Sequence, residues 1–120
     1  MSSPLTIGRR RETEWVDDVD VLALGEGVQV KVMYRDDEAG LIDMLIKFPP
    51  GYVEPEHTHA AEHSGVVLEG VQVVDGQRLH PGDTLHAPSN QQHGPFEYPE
   101  GCVLFTSFRG GSALHAFDRS

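Results

Sequence analysis

Short apolar runs separated by turn residues constrain the fold of this chain more than any other feature. In residues 28–35 (VQVKVMYR) every even-numbered side chain is apolar or aromatic, and most odd-numbered ones are polar. In residues 41–48 (LIDMLIKF) the even positions are uniformly apolar. Because alternate side chains of a strand point to opposite faces of a sheet, both segments are predicted to be strands with one buried face.

Turn residues join the predicted strands. Asp75-Gly76 separates residues 66–74 from residues 77–80, and because both residues tolerate positive φ the pair predicts a two-residue hairpin. No segment of ten or more residues has helical periodicity. The nearest, residues 14–24, is interpreted as a strand or an irregular lead-in. Strands at intervals of about 8–12 residues predict an antiparallel sandwich or barrel.

Length and charge limit the possible classes of protein. The 120 residues predict one domain at 14–120, preceded by a polar, solvated tail at 1–13. A net charge of −10, with one basic cluster at Arg9–Arg11, argues against binding nucleic acid. No stretch has the character of a secretory signal or a membrane span. The single cysteine, Cys102, favours a reducing, cytoplasmic location and a buried thiol that packs as a small apolar side chain.

Three histidines lie within seven residues in the stretch HTHAAEH. In an extended strand His57 and His59 project to the same face, and His63 keeps the same odd parity at the start of the next strand. His93 follows a loop in a later hairpin. In an antiparallel barrel, a strand of that hairpin can place His93 next to the first three histidines. Because imidazole suits divalent transition metals, the spacing predicts that these four residues share one metal ion.

The spacing of glycines and histidines resembles the two sequence motifs of the cupin superfamily. The first motif, G(X)5HXH(X)3–4E(X)6G, is matched from Gly51 to Gly70, and the second, G(X)5PXG(X)2H(X)3N, from Gly82 to Glu97. The flanking predicted strands fit the outer strands of a cupin. The resemblance implies an all-β fold, the antiparallel double-stranded β-helix of the jelly-roll cupin barrel.

Three positions depart from these motifs. His63 occupies the place of the usual glutamate ligand, and Glu62 lies one residue earlier, on the opposite face of a regular strand. Asn90 replaces a glycine, which asparagine permits because it tolerates positive φ, and Glu97 replaces the final asparagine. The chain is thus similar to the four-histidine cupins, which bind manganese or another divalent ion, and to the three-histidine dioxygenase cupins that cleave diketones. It departs from the zinc-binding anti-sigma cupin domains, which keep the glutamate.

Four neutral imidazoles would leave the +2 charge of the metal uncompensated. Such a site is a strong Lewis acid that attracts anionic oxygen ligands, and an octahedral ion would keep two adjacent positions open. One metal ion per chain is expected. The ligand set does not select among Mn, Fe, Ni and Zn.

Other residues are candidates for supporting this site. His86 is a candidate proton shuttle, with a surface histidine as the alternative. Ligating histidines need a partner for the second ring nitrogen. The polar candidates for that role, foremost Glu62 and Gln91, are Glu54, Glu56, Glu62, Gln91 and Gln92. The candidates for an apolar substrate pocket, for which core packing is the alternative, are Tyr52, Met44, Phe96, Phe105 and Phe108.

These features favour a metal-dependent enzyme of dioxygenase type that acts on a small oxygen-chelating anion such as a diketone, a phenolic compound or a keto acid. The first alternative is a non-redox isomerase or lyase acting on a sugar acid or keto acid, in which the metal polarises a carbonyl while His86 or a glutamate moves a proton. The second is a non-catalytic ligand-binding or sensing cupin, although the chain holds no output module. The fold alone does not distinguish them.

The expected partners are a small-molecule substrate and a second copy of the chain. A small sandwich leaves strand edges that pairing protects. The resemblance to cupins implies a homodimer, in which residues 14–24 would cross between subunits.

Overall fold

The computed structural model describes residues 4–18, 24–58 and 61–110. Within them, antiparallel strands make up nearly all of the regular structure, and a single 3₁₀ turn spans Arg10–Glu12. Numbered in chain order, the strands are β1 (Val16–Asp17), β2 (Gln29–Asp36), β3 (Leu41–Phe48), β4 (Tyr52–Glu54), β5 (His57–Thr58), β6 (Glu62–Gly70), β7 (Gln72–Val74), β8 (Gln77–Leu79), β9 (Thr84–Ala87), β10 (Gln92–His93), β11 (Phe96–Tyr98) and β12 (Cys102–Arg109).

Two sheets enclose one apolar core. The larger has the order β1-β2-β3-β12-β6-β9 and the smaller the order β4-β11-β7-β8, while β5 and β10 form a separate pair. The core cluster joins Val30, Met44 and Leu104 of the larger sheet to Phe96 and Tyr98 of the smaller one. The predicted all-β, antiparallel jelly roll is therefore confirmed.

The predicted alternation holds in β3 and fails partway along β2. All the even-numbered side chains of β3 are buried in the core. In β2, Val30 is buried, but the register against β3 shifts between Val32 and Tyr34. This shift leaves one extra residue in β2 and turns Tyr34 out of the core, so that 38% of its surface is exposed. A bulge of this kind depends on the neighbouring strand, so the period of the sequence does not reveal it.

The turn residues adopt the conformations that the sequence predicts. Asp75 and Gly76 have φ of 51° and 76°, and they connect β7 to β8 with Val74 opposite Gln77. Asn90, at the position of a motif glycine, has φ of 57°. The hairpin and the tolerated asparagine are both confirmed.

Gly70 ends β6 at a close crossing of two backbone segments. Its φ is +79°, and a Cβ added there would lie 2.1 Å from the carbonyl oxygen of Gly101. The next residue, Val71, donates its N–H to that same oxygen at 3.3 Å. The motif glycine therefore allows the chain to turn from the larger sheet into the smaller one.

The N-terminal segment lies against the outer face of the larger sheet. The Lys31 ammonium donates to the carbonyl oxygen of Arg10 at 2.6 Å, and the Arg10 guanidinium pairs with Glu69. Lys31 Nζ also lies 4.8 Å from the centre of the Trp15 ring. The tail predicted at 1–13 thus contacts the domain through Arg10. Of the segment predicted to cross between subunits, β1 pairs with β2 of its own chain, and residues 19–23 lie outside the described residues.

Cys102 is buried at the start of β12, where it packs in the core as the sequence predicts. Burial, with a smaller contribution from the negative charge of Glu69, raises the pKa of this thiol to about 12. A protonated thiol is a poor nucleophile, so this environment favours packing over reactivity. Among the residues that the structure describes, no helix is long and apolar enough to cross a membrane.

Replacing Gly70 by alanine should destabilise the fold more than the same change at Gly76. The two glycines have nearly equal φ, +79° and +76°, so both changes carry the left-handed penalty of about 1–2 kcal/mol. Only Gly70 faces a backbone atom, since a Cβ at Gly76 meets open space. We expect the free energy of unfolding, measured in urea, to fall by about 1–3 kcal/mol more for Gly70→Ala than for Gly76→Ala. Equal losses would show that the crossing with Gly101 is not tight.

Candidate metal centre

The stretch HTHAAEH passes from β5 into β6. His57 lies in β5, and His59 lies outside the described residues. Strand β5 pairs with β10 in a register that places His93 directly opposite His57. The fold therefore brings together two backbone positions that are 36 residues apart in the sequence, as the predicted hairpin crossing requires.

His63 lies on the inner face of β6. Only 8% of its surface is exposed, and its ring packs against that of Phe108 with 5.0 Å between the ring centres. Phe108 is its partner in β12, and Ala87 is its partner in β9. Strand pairing on both sides fixes the direction in which this imidazole points.

His63 lines a small cavity whose walls come from both sheets. The cavity measures about 30 Å³, which is room for about one water molecule. Apolar side chains from both sheets form much of its wall. Its polar lining residues are Glu54, His63, Gln72, Tyr98 and Thr106.

A buried hydrogen-bonded network occupies one side of this cavity. The Tyr98 hydroxyl donates to Oε1 of Glu54 at 2.9 Å and accepts from Nε2 of Gln72 at 3.2 Å. Glu54 is only 6% exposed, and a buried carboxylate is costly unless hydrogen bonds stabilise it. Burial, followed by the negative charge of Glu54, raises the pKa of Tyr98 well above its usual value of 10. Tyr98 is therefore a donor at neutral pH.

Sequence reasoning identified Glu54 only as one of several polar neighbours, and it missed Gln72 and Tyr98. In β4 the apolar Val53 would be expected to face the core, yet 55% of its surface is exposed and Glu54 points inward. The reason is that Glu54 pairs with Phe96 of β11, whose inward side chain sets the inner face. In the sequence, the short spacing between Glu54 and His57 is only a weak indication that a polar side chain faces the interior at position 54.

Glu62 and His86 lie on the opposite face of the sheet from His63. The register of β6 against β12 has no shift from Gly65 to Glu62, so the alternation of side chains is regular there. Glu62 Oε2 lies 3.5 Å from Nε2 of His86, and Ser64 Oγ lies 2.9 Å from its Nδ1. The structure thus places His86 at the outer surface and not beside His63. The reason is that His86 pairs with Ser64, an outward position of β6.

The remaining polar candidates lie at the surface near β10. Gln91 is exposed in the loop before that strand. Gln92 is exposed as well, and its side-chain amide donates to Oε2 of Glu56 at 3.0 Å. Neither position reaches the interior that His63 faces.

The apolar pocket candidates divide among three environments. Phe96 and Phe108 line the cavity with His63. Met44 is completely buried in the core, and the Tyr52 hydroxyl donates to the carbonyl oxygen of Leu24 while its ring packs on neighbouring aromatic rings. Phe105 lies on the outer face, beside a shallow depression that His86 also lines. Only the first two contribute to the candidate site.

No three metal-binding side chains cluster among those that the structure describes, a set that includes His63 but not His57, His59 or His93. The register of β5 and β10 places positions 57 and 93 opposite each other, and His63 faces the interior. Neutral imidazoles are suitable donors for Zn, Fe and Ni, and Mn binds such ligands most weakly.

The sequence model of the ChrR cupin-like domain family matches residues 10–110. The chain belongs to this cupin family. It is also 29% identical, over 106 residues, to the pectin degradation protein KdgF of Dickeya dadantii (strain 3937). This match covers 81% of the present chain and 86% of that protein.

Solved structures agree with this assignment. KdgF from Halomonas sp. matches with a TM-score of 0.70 and 26% identity, covering 88% of this chain and 96% of that one. An acetylacetone dioxygenase from Acinetobacter johnsonii matches with a TM-score of 0.63, covering 92% of this chain and 81% of that one. At 16% identity, the second match shows the fold alone.

The raised pKa of Tyr98 should make the protein sensitive to alkali. Above about pH 10 the unfolded chain loses a tyrosine proton that the folded chain keeps, so the free energy of unfolding falls by about 1.4 kcal/mol per pH unit from this residue. Tyr98→Phe should remove this contribution. The exposed Tyr34→Phe is the control and should keep the wild-type slope in urea unfolding between about pH 9 and 11. If the free energy of unfolding of Tyr98→Phe and of Tyr34→Phe had the same pH dependence, the raised pKa of Tyr98 would be contradicted.

Proposed function

We propose that this chain is a metal-dependent cupin enzyme that rearranges a small sugar acid or keto acid without redox chemistry. The observation that carries the proposal is the similarity to KdgF, a pectin degradation protein, across most of both chains. Pectin is a polymer of sugar acids, so its degradation yields small carboxylates with carbonyl and hydroxyl groups. Such molecules can chelate a metal through two oxygen atoms.

His57, His59, His63 and His93 would hold one divalent metal ion, of Mn, Fe, Ni or Zn. When bound, the ion supplies a Lewis acid that polarises a substrate carbonyl. The inward direction of His63 and the pairing of position 57 with position 93 support this assignment. The chain carries a net charge of −10, so an anionic substrate needs a local positive centre, which a metal held by neutral ligands provides.

The described side chains suit proton handling in an interior lined largely by apolar groups. Phe96 and Phe108 limit the access of water next to His63. Tyr98 keeps its proton and holds the Glu54 carboxylate in one position. Because this cavity has room for only about one water molecule, we place the substrate outside it, towards the β5–β10 pair that carries positions 57 and 93.

A dioxygenase acting on a diketone, a phenolic compound or a keto acid is the second candidate. It is favoured by the predicted ligand set of four histidines and no carboxylate, which would leave two metal positions open. The fold match to an acetylacetone dioxygenase is compatible with either chemistry.

Metal content provides the first test. The wild-type protein, purified without chelator, should contain about one transition metal ion per chain, and His63→Ala should bind that ion at least about tenfold more weakly. His86→Ala is the matched control, since that histidine lies on the outer face of the same sheet, and it should keep full occupancy. Elemental analysis after dialysis measures both. A His63→Ala protein that retains its metal would exclude His63 as a ligand.

The two reactions separate by their need for oxygen. Zinc-loaded and manganese-loaded protein should convert components of a pectin digest under anaerobic conditions, followed by proton NMR. An oxygen electrode, used in parallel with diketones and catechols on iron-loaded and manganese-loaded protein, should show no uptake above the metal-free control. Oxygen uptake without anaerobic turnover would reverse the choice in favour of the dioxygenase. If metal-loaded protein showed neither anaerobic turnover nor oxygen uptake, a binding function would be favoured.

A further inference from the structure

We propose that the outer face of β6 carries a second catalytic site, a serine hydrolase centre that cleaves small apolar esters. Its nucleophile is Ser64, its general base is His86, and Glu62 positions the imidazole of that base. These side chains lie on the opposite face of the larger sheet from His63, so the reaction is independent of the proposed metal centre.

The register of the larger sheet brings the three side chains together. Ser64 of β6 lies directly opposite His86 of β9, and Glu62 lies two residues before Ser64, on the same face of a strand that is regular there. The Ser64 hydroxyl oxygen lies 2.9 Å from Nδ1 of His86. Oε2 of Glu62 lies 3.5 Å from Nε2 of the same ring. A hydroxyl within hydrogen-bonding distance of a base that a third group orients is the arrangement of an activated nucleophile.

The neighbours of this pair direct the hydroxyl proton of Ser64 towards His86. Arg109 donates from Nη2 to the Ser64 oxygen at 3.2 Å, and a guanidinium has no acceptor, so the single hydroxyl proton is left for Nδ1. On the other side of the ring, the Glu62 carboxylate accepts and does not donate, which favours the tautomer with its proton on Nε2. Nδ1 is therefore the free acceptor that a general base requires.

A surface depression of about 400 Å³ next to these groups provides room for a substrate. Ser64 and His86 line it together with the apolar side chains of Val66 and Phe105. Its volume lies in the range of about 300–1,000 Å³ that is typical of small-molecule sites. Because apolar side chains lie beside the nucleophile, the site suits an ester with a small apolar acyl group.

The reaction needs only the ester and water. The Ser64 oxygen forms a bond to the carbonyl carbon while its proton passes to Nδ1 of His86. Negative charge then develops on the carbonyl oxygen, where the neighbouring Arg109 guanidinium stabilises it. The bond to the alcohol oxygen breaks, and this oxygen takes the proton from Nδ1. Water repeats these steps on the acyl-serine, releases the acid and restores the hydroxyl.

A fluorophosphonate probe tests the nucleophile directly, because it reacts covalently with activated serines. Peptide mass spectrometry of the labelled wild-type protein should locate the probe on Ser64. Ser107 is the internal comparison, since it also lines the depression but donates its hydroxyl proton to Asp43, and it should remain unlabelled. Labelling of Ser107 in place of Ser64, or of neither serine, would overturn the proposal.

Hydrolysis of p-nitrophenyl acetate tests the pair. Ser64→Ala and His86→Ala should both be at least about 100-fold slower than wild type. Ser89→Ala, which removes an exposed hydroxyl in the loop between β9 and β10, is the control and should match wild type. Hydrolysis that is lost in His86→Ala but survives in Ser64→Ala would exclude the serine as nucleophile.

Glu62→Gln tests the positioning role. The amide leaves the nucleophile and the depression in place but no longer favours one tautomer of His86. The labelling rate at saturating probe should therefore fall at least about tenfold, while the probe concentration that gives half of this rate stays unchanged. An unchanged saturating rate would contradict the role of Glu62.

A chelator distinguishes this site from the proposed metal centre. Dialysis of the wild-type protein against EDTA should leave both the labelling and the ester hydrolysis unchanged, because His63 faces the other side of the sheet. Loss of both with the metal would assign the ester hydrolysis to the metal centre and overturn the second site. A protein that binds no metal yet labels on Ser64 would refute the metal centre alone.

Discussion

The antiparallel pairing of β12 with both β3 and β6 is the constraint on which the interior depends. Each of the eight residues of β12 has a partner in β3 and another in β6. Because side chains alternate along a strand, placing Phe108 on the inner face also places His63 there, directly opposite it. The last of the described strands therefore orients a side chain from the middle of the sequence, and the inward direction of His63 depends on this register.

The features that the sequence predicted depend on residues close together in the chain. The buried face of β3 follows from its own alternation, and the β7–β8 hairpin follows from two residues that tolerate positive φ, Asp75 and Gly76. The match to the cupin motifs likewise consists of short spacings around turns and strands. Local chemistry sets local geometry in each case, so the strands and the hairpin could be predicted from one sequence, whereas the jelly-roll arrangement was implied by the resemblance to cupins.

The features that the sequence left open or did not predict depend on which strands are neighbours. His86 faces outward because its partner is Ser64, and Glu54 faces inward because its partner is Phe96. The outward turn of Tyr34 similarly requires a bulge against β3. Each of these facts follows from a long-range register, which a pattern of hydrophobic and polar residues within one strand does not specify.

The regular alternation of β6 makes the chemistry of its inner face depend on a single backbone step. Glu62 and His63 are adjacent, with their side chains on opposite faces. Removing Ser64 from an otherwise regular strand would place Glu62 opposite Phe108 and turn His63 outward, bringing a carboxylate inward in place of an imidazole. Cupins with histidine and with glutamate at this place are thus separated, in principle, by one deletion or insertion. A change of strand length can therefore alter a ligand set during evolution without any substitution of the ligands themselves.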